Sequence, residues 1–373
     1  MAHDVASIAK HFKLAGEPDA IDPITTGHIN DTYVVKATAG GRTVRYVLQR
    51  INQYVFKEPT QVMSNILRVT DHIRRKVSRG DPELASRQLT VIPSAEAPGW
   101  YRDADDNFWR MYNFVENAVT YDTPESPELA RETARMFGWF QSMLSDLPGS
   151  PLHETIPGFH DTPRRMRYFR QVLAEDKCNR AKGAAAEIDF VLEHAALCNV
   201  LPDLVAKGEL PVRIAHNDTK INNVMLDTDS GKGVCVIDLD TVMPGLSAHD
   251  FGDLVRTAAC PAAEDERDLS KVTIDIELFD ALAQGFAQET GRFLTPAEKD
   301  HMLFGGILIT FEQMIRFLTD HLAGDVYYKV HREDHNLDRT RTQMKLVQSI
   351  LDQEKTLNGL VEQAYSNSPR DAD

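Results

Sequence analysis

The sequence predicts an α+β chain of two lobes: a small, β-rich lobe over residues 1–117 and a larger, mainly helical lobe over 118–373. Three observations carry this. Up to about residue 115, β-branched and aromatic runs are separated by Gly and Pro turns, with one helical stretch set among them. From Pro124 onward, apolar residues recur at helical spacing. One β island interrupts the helices, where the apolar runs 212–215 and 234–237 flank a polar loop.

Taken in order, Val5, Ile8, Ala9, Phe12 and Leu14 give residues 5–15 helical spacing. A turn near Ile24 feeds a β run through Val34, Val35 and Ala37, and 43–51 form the next strand, with Gly40-Gly41 as the hairpin turn. Beyond Pro59, the residues Val62, Ile66, Val69 and Ile73 mark one face of a charged helix of about 20 residues. Residues 89–92 and 107–115 read as two further strands, split by Pro98-Gly99. The second lobe holds helices at 129–144, 161–174, 184–198, 273–289, 297–322 and 338–365.

Composition narrows the function. Lys plus Arg less Asp plus Glu is 41 − 56 = −15, which argues against a nucleic-acid partner, since that needs a basic footprint. An anionic membrane surface is disfavoured for the same reason. The four cysteines, Cys178, Cys198, Cys235 and Cys260, lie far apart and form no CxxC pair, so a zinc site or disulfide framework is not expected. Residues 1–20 lack the apolar core of a secretory signal, and no 18-residue apolar stretch stands out. The expected location is cytoplasmic.

The chemistry sits in the β island. Residues 216–223 read His-Asn-Asp-Thr-Lys-Ile-Asn-Asn, and Asp238 follows the apolar run 234–237. A tight turn between two buried strands would explain the polar loop. It would not explain a carboxylate at the mouth of a buried strand, which is costly to desolvate unless a positive charge such as a metal compensates it. Asp218 is placed to accept the proton of an acceptor hydroxyl. Asn223, five positions on, and Asp238 are oxygen ligands suited to Mg²⁺ against the phosphates of a nucleotide. ATP and Mg²⁺ are therefore the expected cofactors.

With these residues in place, the chain resembles the aminoglycoside phosphotransferase-like branch of the protein-kinase fold, and within it is similar to the N-acetylhexosamine 1-kinases. The likeness runs from Gly27-His-Ile-Asn-Asp-Thr-Tyr33 through 216–223 and 236–245 to His249-Asp-Phe-Gly-Asp253, Arg316-Phe-Leu-Thr-Asp320 and Gly324-Asp-Val-Tyr-Tyr328. It implies a two-lobed protein-kinase-like fold. It also implies a carbohydrate-metabolism enzyme transferring phosphate from ATP to an alcohol, the anomeric hydroxyl of an N-acetylhexosamine. A small-molecule kinase with another acceptor (an aminoglycoside, choline, homoserine or a different sugar) is the alternative. Asp218 then looks like the catalytic base, and Asn223 and Asp238 like the metal ligands. Lys220 either steadies the γ-phosphate or the base, or is an ordinary solvated lysine. Asp240 is an acceptor-site or second metal contact, or a structural acceptor, and Asp250 resembles an acid that ties down the catalytic loop.

The first lobe departs from the family pattern. Its loop has one glycine, Gly27, so phosphate contacts fall to Thr26, Asn30, Thr32 and backbone N–H groups. Arg50 stands in the usual lysine position, or Gln49 if the register shifts by one, and the two would face opposite sides of a strand. Ser64 and Asn65 occupy the helix centre where a glutamate partner is expected. Phe114, Val115 and Glu116 look like the adenine-binding hinge.

On the acceptor side, Glu312, Arg316 and Asp320 fall at i, i+4 and i+8, which is either a salt ladder on a solvated face or a substrate stripe. The aromatics Phe311 and Phe317, with Tyr327 and Tyr328 just beyond, favour Arg316 and Tyr327 as sugar contacts.

Overall fold

The computed structural model describes residues 4–24 and 29–369. Strands are β1 (Glu17–Ile24), β2 (Asp31–Ala39), β3 (Arg42–Arg50), β4 (Tyr101–Arg102), β5 (Phe108–Asn113), β6 (Ala118–Val119), β7 (Arg213–Ala215), β8 (Val224–Asp227), β9 (Gly233–Val236) and β10 (Met243–Gly245). The first three helices are α1 (Val5–Ala9), α2 (Pro59–Val77) and α3 (Pro82–Ser86). Then come α4 (Pro127–Leu144), α5 (Thr162–Glu175), α6 (Ala185–Glu193), α7 (Val200–Ala206), α8 (Ser247–Ala258) and α9 (Ile276–Thr290). The last four are α10 (Pro296–Asp300), α11 (Met302–Ala323), α12 (His335–Asp352) and α13 (Glu354–Asn367). The chain divides into two compact units, one of residues 1–119, 146–157 and 225–243, the other of 120–145, 158–224 and 244–373.

The first unit is built on an antiparallel sheet of order β1-β2-β3-β5-β4. Gly40 and Gly41, at φ 57° and 78°, make the two-residue turn between β2 and β3 that matches strand twist. One face of the sheet buries Val35, Ala37, Tyr46, Leu48, Trp109 and Met111 against Ile8 and Ala9 of α1 and the following Phe12. The register places Thr32 opposite Gln49 and Gln49 opposite Arg110, so these three share a row, while Asp31, Arg50 and Trp109 share the next. Because side chains alternate faces, the two rows point to opposite sides. Helix α2 starts with Pro59 at its first turn and buries Val62, Ile66, Val69 and Ile73, the stripe expected of it.

Some sequence expectations are corrected here. The lead-in helix stops at Ala9. Strand β1, with Pro18, Pro23 and three acidic residues, was not anticipated. The run 89–92 is no regular strand: Val91 makes an isolated bridge to Tyr112, and β4 lies further on at Tyr101–Arg102.

In the second unit α4 packs on α9, and α8 and α12 pack on α11. Helix α8 has ten buried residues of twelve and was not foreseen as a helix. It crosses α11 with backbones in contact: a Cβ on Gly252 would lie 2.3 Å from the Gly305 carbonyl oxygen, and one on Gly305 2.0 Å from that of Ala248. Only glycine permits this approach. The helix expected over 297–322 breaks at His301 into α10 and α11, and that over 338–365 breaks at Gln353 into α12 and α13. By length and composition α11 is apolar enough to cross a membrane, contrary to the reading that no such stretch exists. Nineteen of its 22 residues are buried, so here it is a core helix of its unit.

Candidate active site

The loop after β7 is fixed by two carboxylates of α8. Asp250 accepts hydrogen bonds from the backbone N–H of His216 (2.9 Å) and Asn217 (2.7 Å) and from Gln141 Nε2 (2.6 Å). Asp253 accepts from the N–H of Thr219 at 2.9 Å, and the Thr219 hydroxyl donates to the Asp250 carbonyl at 2.6 Å. His216, fully buried, sets its ring edge-on to Phe137 and Phe140 and takes the N–H of Asp218 on Nδ1 at 3.3 Å. Asn217 holds φ 64°, a left-handed conformation that asparagine tolerates better than most residues. Backbone held this way cannot drift, so Asp218 has a defined position.

Two of the residues singled out in the sequence, Lys220 and Asn223, lie against Asp218. Lys220 Nζ lies 3.0 Å from Asp218 Oδ1. Asn223 Nδ2 donates to the Asp218 carbonyl at 2.9 Å and to its Oδ2 at 3.3 Å. The negative charge of Asp218 raises the Lys220 pKa, so the lysine is a cation. Burial would push the Asp253 carboxyl up, but Arg256 and Lys220 outweigh it and hold it below its ordinary range. Arg256 pairs with both Asp253 (2.9 Å) and Glu264 (3.0 Å).

Asp238 and Asp240 belong to the first unit. Asp238 follows β9 in the left-handed region at φ 59°, ψ 57°, a conformation that non-glycine residues keep mainly where surrounding structure imposes it. Asp240 is buried and fully engaged. Arg110 donates to both its oxygens (Nη2 to Oδ2 is 2.9 Å), and Asn30 Nδ2 adds a bond of 2.7 Å. Its carbonyl accepts from Thr155 at 2.7 Å. Asp240, expected as an acceptor-site or second metal contact or as a structural acceptor, is thus held by Arg110 and Asn30 and, at its carbonyl, by Thr155.

The same network changes the reading of its neighbours. Asn30, expected at the phosphates, joins Asp240 to the N–H of Asn52, and Thr32 accepts from Gln49. Gln49 in turn accepts from Arg110 Nε at 3.0 Å. Arg50 faces the other way and is bound to Asp31 and Asn107. The buried cation beside Asp240 is Arg110, which sequence reasoning missed. An arginine in a strand whose neighbours Trp109, Met111 and Tyr112 are all apolar or aromatic was the available signal. Asn65 replaces the expected glutamate with neutral bonds to the His153 and Val242 carbonyls. Thr26 and Gly27 lie outside the described residues.

At 114–116, the Phe114 N–H is taken by the Arg45 carbonyl and the Glu116 carbonyl by Arg87. The Glu116 carboxylate binds Arg45, whose guanidinium stacks over Phe114 at 3.8 Å. Val115 packs on Val234 and Cys235, and among the described residues its N–H and C=O make no hydrogen bond.

The expected stripe on α11 is not a salt ladder. Glu312 is bound by His160 Nδ1 (3.0 Å), Thr162 Oγ1 (2.6 Å) and Arg165. Burial opposes its charge, yet His160 and Arg165 hold the carboxyl well below the usual range. Asp320 accepts the N–H groups of Val326, Tyr327 and Tyr328 and so shapes the turn after the helix. Arg316 donates to Gln313 at 2.8 Å and lies 5.5 Å from the ring of Tyr328, not of Tyr327. Tyr327 is 67% exposed, so the aromatic at Arg316 is its neighbour.

Among the described residues no cluster of three or more His, Cys, Asp or Glu side chains is placed to hold a metal ion. The residues expected to hold Mg²⁺, Asn223 and Asp238, offer oxygen atoms, the donor type that ion takes, one or two from protein with phosphate and water completing its shell. Asn223 has its Oδ1 available, because Nδ2 makes its bonds to Asp218.

A mixed fold with an antiparallel sheet in one unit and helices in the other, together with a carboxylate on a doubly braced loop, defines a kinase-like phosphotransferase. The phosphotransferase enzyme family matches residues 20–290, and the chain belongs to that family. Three solved structures show the same fold at low identity. An aminoglycoside phosphotransferase from Alicyclobacillus acidocaldarius has TM-score 0.58 and 14% identity, covering 98% of this chain and 96% of its own. A spectinomycin phosphotransferase in complex with ADP and spectinomycin has TM-score 0.55 and 12% identity, with 91% and 96% covered. Choline kinase from Cryptosporidium parvum Iowa II has TM-score 0.54 and 13% identity, with 97% and 99% covered.

Proposed function

We propose that the protein is an ATP- and Mg²⁺-dependent kinase that phosphorylates the anomeric hydroxyl of an N-acetylhexosamine, giving the sugar 1-phosphate and ADP. The observation that carries this reading is the seating of Asp218, whose loop is tied through three backbone N–H groups to Asp250 and Asp253. A base so positioned receives the acceptor proton as the hydroxyl oxygen attacks the γ-phosphorus. Lys220, 3.0 Å from Asp218 Oδ1, is near enough to offset charge on the transferring group. Asn223 and Asp238 are the proposed metal ligands. When bound, Mg²⁺ would neutralise charge spreading over the phosphoryl oxygens. The backbone of Val115 is the proposed adenine contact, because both its polar groups are available there.

The fold relatives include enzymes named for aminoglycosides and choline. Such cationic acceptors are the second reading, but the guanidiniums of Arg165 and Arg316 on the acceptor side disfavour them. The experiment is ADP release from purified protein with ATP, Mg²⁺ and a panel of N-acetylhexosamines, other sugars, choline and aminoglycosides, with NMR of the product. Turnover confined to non-sugar acceptors, or a product phosphorylated at the 6-position, would sink the proposal.

A further inference from the structure

The charges packed around α11 do not balance. Glu312 is buried, and its two oxygens are occupied by His160, Thr162 and Arg165. Two guanidiniums stand in the same cluster, Arg165 and Arg316: burial first, then the charge of Arg316, lowers the Arg165 pKa, while burial of Arg316 is outweighed by Tyr328 and Glu312, which raise its pKa. Among the described residues Arg316 makes no ion pair. Asp320, one turn along, is committed to the N–H groups of 326–328 and to Asn336, and Asp253 and Glu264 are committed to Arg256. One carboxylate thus faces two guanidiniums, an arrangement costly to bury without a further negative group.

Two histidines border the cluster. The rings of His160 and His249 lie 4.8 Å apart, and His160 Nε2 and His249 Nδ1 are buried without a hydrogen-bond partner among the described residues. His249 is 8% exposed. Orphaned ring nitrogens in the surroundings of Glu312, which Arg165 also reaches, make a place for oxygen atoms to be bound.

We infer that this cluster is an anion subsite, and that the preferred acceptor carries a negatively charged oxygen group, a sulfate or phosphate ester, read by Arg316 together with Arg165. The inference rests on the hexosamine-kinase reading for the scaffold that carries the anion. It names a substrate class that reading leaves open. A guanidinium binds such groups through paired N–H donors, and Tyr328 beneath Arg316 holds it in place.

The test compares kcat/KM for N-acetylglucosamine, its 6-sulfate, its 6-phosphate and glucosamine, in the wild type and in Arg316→Gln and Arg316→Lys. One charge-assisted hydrogen bond corresponds to about tenfold or more, so the anionic sugars should exceed the neutral one by that factor, with cationic glucosamine lowest. The sulfate and phosphate arms show which ester is preferred. Arg316→Gln should bring the anionic-to-neutral ratio within about threefold, and Arg316→Lys should restore part of it. Equal kcat/KM for neutral and anionic sugars in the wild type, or a ratio unchanged in Arg316→Gln, overturns the inference. Thermal protection by the 6-sulfate in the absence of nucleotide separates the two proposals. Protection lost in Arg316→Gln supports the subsite even if no sugar is turned over, in which case the kinase reading alone fails. Turnover of neutral sugars with no such protection overturns the subsite alone.

Discussion

Arg110 and Asp240 form a buried, two-pronged ion pair, with Nη2 2.9 Å from Oδ2 and both residues almost fully excluded from solvent. The pair links a central strand to the segment two residues beyond Asp238. Gln49 holds the guanidinium from β3 and Asn30 holds the carboxylate, so the left-handed turn at Asp238 is fixed through its neighbour.

Removing one partner leaves the other charge buried and uncompensated. Arg110→Met should lower unfolding stability by about 3–5 kcal/mol. The double change Arg110→Met with Asp240→Leu should recover part of that loss, because a shape-filling apolar pair carries no desolvation penalty. Denaturant unfolding of the wild type and the two variants checks this. A single variant as stable as the wild type would contradict it.

The crossing of α8 and α11 yields a second expectation. Gly305→Ala puts a methyl group 2.0 Å from the Ala248 carbonyl, which neither backbone can accommodate without moving. A stability loss of about 1–3 kcal/mol is expected from such overpacking. Since α8 carries Asp250 and Asp253, kcat should fall as well, whereas Gly359→Ala, inside α13 with nothing near its Cβ, should leave kcat unchanged and raise stability by about 0.5–1 kcal/mol. Thermal melts and steady-state kinetics of the two variants report the difference.

Burial, then the neighbouring His160, pushes the His249 pKa from its ordinary 6.5 down to about 3. The sign follows from proton counting. Between about pH 3 and pH 6.5 the unfolded chain binds a proton at this residue and the folded one does not. Its contribution is therefore complete above about 6.5 and declines as pH falls toward 3, with a slope of up to about 1.4 kcal/mol per pH unit. His249→Asn should flatten the acid side of the stability–pH curve and leave the region above pH 7 with an unchanged slope. Urea midpoints from pH 4 to 8 would show it, and parallel curves for the two proteins would count against it.

The grouping of Lys220 and Asn223 around Asp218 was legible because it is local: the three residues lie within six positions of one loop. What lies across strands was not legible. Arg110 meets Asp240 because the register aligns Thr32, Gln49 and Arg110 in one row, and register depends on pairings that no local pattern displays. Helix α8 escaped notice because its polar residues, Asp250 and Asp253 among them, are buried and bonded to the 216–219 loop, so they do not read as the solvated face of a surface helix. On α11 the spacing of Glu312, Arg316 and Asp320 left a salt ladder and a substrate stripe both open, and tertiary partners from α5 and from the 326–328 turn won over the intrahelical ones. Tyr327 and Tyr328 are adjacent in sequence, and only the turn held by Asp320 decides which of them meets Arg316.

The central claim is that Asp218 is the base of a sugar-directed phosphoryl transfer. It is tested most directly by ADP release with N-acetylglucosamine and N-acetylgalactosamine in the wild type and in Asp218→Asn, alongside nucleotide binding by calorimetry. The expected result is wild-type turnover of at least one of the two sugars and a fall in kcat of about 10²–10⁴ in the variant, with nucleotide affinity within a few-fold of the wild type. An Asp218→Asn protein that turns over within a few-fold of the wild type would contradict it.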